Sequence, residues 1–144
     1  MSFDLVAQAY PQLLLATVFL LLSGVHFYWA MGGKWWLSNA LPMNEQGDHV
    51  LKPSKVPTTI VGVGLLGFGS FYIALFLGTS VSVITSVVGW IIPSVFFLRA
   101  IGDFKYVGFF KRVKSTPFSK YDSRFYVPLC LTLAVVGAAV AFQL

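Results

Sequence analysis

Four stretches of this chain contain no Asp, Glu, Lys or Arg: about Leu13 to Ala30, Val56 to Leu77, Val81 to Leu98 and Tyr126 to Phe142. Each approaches the ~20 residues a helix needs to cross a hydrocarbon core of ~30 Å. In lipid every backbone N–H and C=O needs an internal partner, which leaves helices or a closed barrel. The apolar residues run continuously rather than alternating, so the runs predict helices and not barrel strands. Composition agrees. Of the 144 residues 57% are hydrophobic and 10% charged, against roughly 25% charged in soluble proteins. Too few polar side chains remain to cover a water-exposed surface. The expectation is a single all-α membrane domain over residues 1–144, an integral membrane protein with four transmembrane helices in an antiparallel bundle.

The connections set the orientation. Gly78-Thr79-Ser80 reads as a tight turn, so spans two and three form an antiparallel hairpin. The first long loop (residues 31–55) holds Lys34, Lys52 and Lys55; the second (residues 99–125) holds Arg99, Lys105, Lys111, Arg112, Lys114, Lys120 and Arg124. These are all ten basic residues of the chain, and with four spans both loops face one side. Lys and Arg stay in the cytoplasm during insertion, so the loops are expected in the cytoplasm and both termini outside the cell membrane. The first twelve residues hold Asp4 and no cation, so they do not read as a cleaved signal. The basic balance (pI ≈ 9.5) is assigned to topology and anionic headgroups, not to nucleic acid, because no nucleic-acid module accompanies it.

Several patterns look chemical and are not. Gly62-Val-Gly64-Leu-Leu-Gly67 matches the dinucleotide fingerprint, but it lies inside an apolar span and no acidic residue occurs between Asp48 and Asp103. At 100° per residue Gly62 and Gly69 share one face of that helix with Thr58, and Gly64 and Gly67 the opposite one. Small residues let membrane helices approach closely, so span two is expected to pack on both sides as the central helix. Gly137 gives span four a similar face with Ala134, Ala138 and Ala141. Pro93 should kink span three near Gly89. The single cysteine, Cys130, allows no internal disulfide and reads as a buried apolar residue. No zinc spacing, phosphate-binding loop or nucleophile elbow occurs, so no metal and no cofactor is expected. His49 reads as a solvated loop residue.

One constellation remains. His26 lies about one turn inside the cytoplasmic end of span one, where an ionisable side chain is costly and often functional, or is simply bonded to a nearby carbonyl. Phe27, Tyr28, Trp29, Trp35 and Trp36 form an aromatic belt at the interface. Arg99 and Asp103 would share a helix face and pair if span three continued past Leu98. Asp122 and Arg124 precede span four and could form a second cluster. His26, Trp29, Arg99, Asp103, Asp122, Arg124 and Tyr126 therefore gather at one end of the bundle, as a binding pocket or as charges that anchor helix ends. The segment Ala100–Lys114 does not separate lysines from phenylalanines as an amphipathic helix would.

Arg99-Ala-Ile-Gly-Asp103-Phe-Lys-Tyr-Val-Gly108-Phe-Phe-Lys111, then Tyr121-Asp-Ser-Arg-Phe-Tyr-Val-Pro128-Leu-Cys130-Leu, resembles the bacterial family called domain of unknown function 3995. His26-Phe-Tyr-Trp29-Ala-Met-Gly-Gly33 and Ala40-Leu-Pro42 are similar to it as well. The resemblance implies a small four-span bacterial membrane protein and brings no activity. The residues themselves favour a cytoplasmic-end pocket for a lipid headgroup or small amphipathic molecule. Two rivals are a non-enzymatic subunit of a larger membrane complex or homo-oligomer, and an enzyme that uses His26 with Asp103 or Asp122 for proton transfer on a hydrophobic substrate. A coupled transporter is a weaker third, since no charge lies at the membrane centre.

Overall fold

The computed structural model describes residues 3–52 and 54–144. Its helices are α1 (Phe3–Ala30), the short α2 (Leu37–Ala40), α3 (Lys55–Phe76), α4 (Val83–Ile101), α5 (Pro117–Tyr121) and α6 (Val127–Ala141). A π-helical turn, Asp122–Tyr126, joins α5 to α6, so Pro117–Ala141 is one continuous span of 25 residues. Among the described residues four helices are long and apolar enough to cross a membrane. The β pairing among the described residues is limited to an isolated antiparallel bridge between Met43 and His49. The fourth span thus starts nine residues before Tyr126, because its first two turns are polar and carry no hydropathy signal.

Packing divides the bundle into two pairs. α1 lies along α3 and α4 along α6, with α1 also touching α6. Leu15, Ala16 and Phe19 of α1 are fully buried, and the Phe19 ring meets Phe68 and Tyr72 of α3 and Phe96 of α4. Such aromatic contacts contribute about 0.5–1.5 kcal/mol each beyond the area they bury. This aromatic wedge explains why α3 and α4, though joined by a short turn, each pack chiefly on another helix. Large apolar side chains such as Leu21, Ile60, Ile84, Leu98 and Val135 stay exposed around the outside. In lipid that exposure costs nothing.

The glycine faces behave unequally. Gly62 and Gly69 are buried against α1: a methyl group at Gly62 would touch Phe27 and His26, and one at Gly69 would crowd Leu20. The hydroxyl of Ser23 donates to the Gly62 carbonyl at 2.8 Å, a buried bond between α1 and α3. Gly64 and Gly67, by contrast, face open space, and a methyl group on either would meet nothing within 4 Å. The expectation that span two is central and packed on both faces is therefore corrected. α1 occupies that place, because its Leu15–Phe19 turn is the part that fills the middle. Gly137 does pack closely, against the Tyr72 hydroxyl and the Pro93 ring. α4 runs through Pro93 without interruption, the ring facing the interior.

Two substitutions separate the faces. Gly137→Leu should destabilise the bundle by about 1–3 kcal/mol through overpacking against a rigid ring. Gly64→Leu should stay within about 0.5 kcal/mol of the parent. Reversible unfolding in bicelles measures both.

Candidate functional site

The loop end of the bundle is organised by turns that the backbone permits only at particular residues. α4 stops at Gly102, whose φ of 86° is a conformation most side chains avoid. Gly108 has φ 92°, and the two glycines lie so close that a Cβ on either would run into the other's backbone. Between them Asp103 Oδ1 accepts the N–H groups of Lys105, Tyr106 and Val107 at 2.7–2.9 Å. Burial pushes the Asp103 carboxyl up, but those bonds outweigh it and hold the group below the usual carboxylate value. Its contribution to the turn is thus present above the ordinary carboxylate range and is lost as pH falls through the lowered value.

Pro128 shapes the other strand of this knot. A proline ring crowds the carbonyl four residues back and offers no N–H, which strains an ordinary helix. Here the preceding turn is widened, and Val127 N–H reaches the carbonyl of Asp122, five residues back. Asp122 points inward and is 0% exposed, while Ser123, Arg124 and Phe125 face outward. Its Oδ1 accepts from Arg99 Nη2 at 2.9 Å. Its Oδ2 accepts from the Gly108 N–H at 2.8 Å and from Lys111 Nζ at 3.0 Å. Lys111 is 3% exposed, and its ammonium also donates to the Gly108 carbonyl and Ser123 Oγ, so all three donors are used.

The two expected charge clusters are therefore corrected. Arg99 does not pair with Asp103, because the helix ends at Ile101 and Asp103 turns away to hold its own loop. Arg124 takes no part in the two salt bridges found among the described residues, since the π turn sends it outward while Asp122 goes in. Arg99 and Asp122, one from each cluster, are the residues that meet. Lys111 was missed. Nothing in a lysine's identity signals burial, and only the Gly-Asp and Val-Gly steps that bend the loop back could have pointed to it.

The two long loops meet over the same end of the bundle. Tyr126 carries the junction: its hydroxyl accepts the Trp36 indole N–H at 2.8 Å and donates to the Asn39 carbonyl at 3.3 Å. Beneath the first loop lies a cavity of about 400 Å³ bordered by α1, α2, α3, α4 and α5. His26, Trp29 and Arg99 line it; Asp103, Asp122, Arg124 and Tyr126 do not. The rest of its wall is largely apolar, with Leu37, Pro42 and Leu51 contributed by the first loop. His26 Nδ1 donates to the Leu22 carbonyl at 2.8 Å, which leaves Nε2 as the ring atom free to meet a guest. Arg99 Nη1 is buried and has no acceptor. Wider grooves along the outside of α4, such as one of about 910 Å³, are lined by Val87, Ile91 and Val95 and carry no charged side chain.

Fold and site together define a four-span helical membrane protein whose first loop covers a small, mostly apolar cavity lined in part by His26 and Arg99. The chain belongs to the family described as protein of unknown function (DUF3995), whose profile matches residues 19–137. That match runs from the Phe19 wedge to the Gly137 contact and includes every residue of the Asp122 knot. No curated protein and no solved structure matches the chain.

Replacing Lys111 with Met leaves the Asp122 carboxylate buried with one cation fewer, and should cost about 3–5 kcal/mol, the range for breaking a buried ion pair. Arg124→Met, on the outward face of the same turn, should be close to neutral. Chemical unfolding in detergent micelles compares the two.

Proposed function

We propose that the protein binds a lipid headgroup or another small amphipathic molecule in the cavity beneath its first loop, with Arg99 as the anchor for an anionic head. The observation that carries this reading is a largely apolar wall that includes the side chain of Arg99, one of whose guanidinium nitrogens has no acceptor among the described residues. Buried polar groups normally find partners, and one that does not calls for a ligand or water to complete it. Electrostatics points the same way. Asp122 is the one carboxylate bonded to both Arg99 and Lys111, so the cluster keeps a net positive charge. The cavity volume falls at the low end of the ~300–1,000 Å³ typical of ligand sites, which suits a headgroup and the first part of a chain. His26 Nε2 adds an acceptor for a ligand hydroxyl. A hydroxyl-bearing phosphate headgroup would satisfy both.

Binding is favoured over proton transfer by what surrounds His26. An acid–base pair needs a carboxylate within hydrogen-bond reach of the reacting group, and neither Asp103 nor Asp122 borders the cavity. The non-enzymatic assembly reading is narrowed to Gly64 and Gly67, since Gly62 and Gly69 are occupied within the chain. The ten basic residues of the two loops support an orientation with the cavity on the cytoplasmic side of a bacterial inner membrane. A reporter fused after Leu144 that worked inside the cell would overturn it.

Native mass spectrometry from nanodiscs containing phosphatidylglycerol and phosphatidylcholine tests the binding. One anionic lipid per chain should persist after the bulk lipid is stripped. Arg99→Gln should weaken retention about 10- to 100-fold, the loss of one hydrogen bond to a charged group. Because that change also touches Asp122, Ala40→Phe serves as a second variant that fills the cavity and spares the knot. Undiminished retention in Ala40→Phe would rule the site out.

A further inference from the structure

The second loop carries a feature that the cavity does not use. Phe104, Phe109 and Phe110 are all exposed, Phe109 to 68%, yet their rings gather: Phe104 stacks on Phe110 at 6.1 Å and Phe109 meets Phe110 edge-on at 5.2 Å. Phe104 is held at φ 61°, a left-handed conformation uncommon for an aromatic residue. Exposed Lys105, Arg112 and Lys114 flank these rings along the chain. As a helix the segment would scatter its phenylalanines. The Asp103 turn and the Gly102–Gly108 crossing collect them instead.

The depth of this cluster is fixed by backbone bonds. α4 has 19 residues and, at ~1.5 Å per residue, is about as long as the ~30 Å hydrocarbon core is thick. Its last turn therefore lies at the boundary between hydrocarbon and headgroups. The Phe109 N–H donates to the carbonyl of Ala100 in that turn at 2.8 Å, so Phe109 is tied to the same level. Lys111, two residues on, is buried against Asp122, which prevents the rings from folding inward as a unit. Apolar rings held at the boundary and flanked by cations match what an anionic interface offers, apolar matter below and negative charge above.

We propose that residues 104–114 form an interfacial finger that inserts its three phenylalanines into the anionic headgroup layer of the bilayer the protein itself spans. Charge complementarity selects lipid over a second copy of the chain, because two such patches would bring like charges together. Three side chains also fall short of the ~1,000 Å² that a specific protein interface buries.

A fluorescent label attached at Phe109→Cys in a Cys130→Ala background tests this, with Phe110→Cys as a second attachment point and Gln46→Cys in the first loop as the aqueous reference. The protein is reconstituted at high dilution into vesicles of phosphatidylcholine alone or mixed with phosphatidylglycerol. Acrylamide, an uncharged aqueous quencher, should quench the label at 109 several-fold less than at 46, and less still when phosphatidylglycerol is present. Adding Lys105→Gln and Lys114→Gln should remove the phosphatidylglycerol increment. Equal quenching at 109, 110 and 46 would overturn the proposal. So would protection that vanishes as the protein is diluted in lipid, the mark of a second copy covering the finger.

Discussion

One fully buried carboxylate holds the loop end of this protein together. Asp122 cannot sit at 0% exposure without compensation, and it receives a guanidinium from α4, an ammonium from the second loop and a backbone N–H from Gly108. The partners come from two places, the end of α4 and the returning part of the second loop. The knot therefore fixes where α4 ends, how the second loop returns, and how the π turn enters α6. Burying ions is costly, and such a cluster is favourable only with every donor and acceptor matched. Lys111 meets that condition with three acceptors. Arg99 meets it incompletely, with one nitrogen on Asp122 and the other without an acceptor among the described residues.

That imbalance connects stability to the proposed role. The same residue that ties α4 to Asp122 lines the space beneath the first loop, so the proposed guest and the knot would share it. The first loop has its own supports: Asn44 Oδ1 accepts from the N–H groups of Gln46 and Asp48, and Val50 N–H bonds the Pro42 carbonyl. It is anchored to the rest through Trp36, Asn39 and Tyr126. Below, the Phe19 wedge and the Ser23–Gly62 bond set the spacing of α1 and α3 that places His26 at the cavity. Packing in the membrane and chemistry at its edge are thus consecutive parts of one structure.

The spans were legible from sequence because uncharged apolar runs of the right length have few alternatives in lipid. So was the gathering of His26, Trp29 and Arg99 at one end, which follows from topology alone. The pairings were not legible. Whether Arg99 meets Asp103 or Asp122 depends on one residue, Gly102, ending the helix, and helix continuation was the simpler assumption. Lys111 carried no sign of its burial, since a lysine in a basic loop normally faces solvent. Gly62, Gly64, Gly67 and Gly69 were correctly sorted into two faces. Which face had a partner was decided by the wedge of Phe19, a residue indistinguishable from its apolar neighbours until the helices are packed.

The most direct measurement is hydrogen exchange at the Gly108 amide in lipid nanodiscs, compared with the amide of the exposed Glu45 in the first loop. Bonded to a buried carboxylate, Gly108 should exchange only when the whole loop end opens, orders of magnitude more slowly than an exposed loop amide. Exchange at Gly108 as fast as at Glu45 would mean that Asp122 does not hold the loop, and the account built on it would fail.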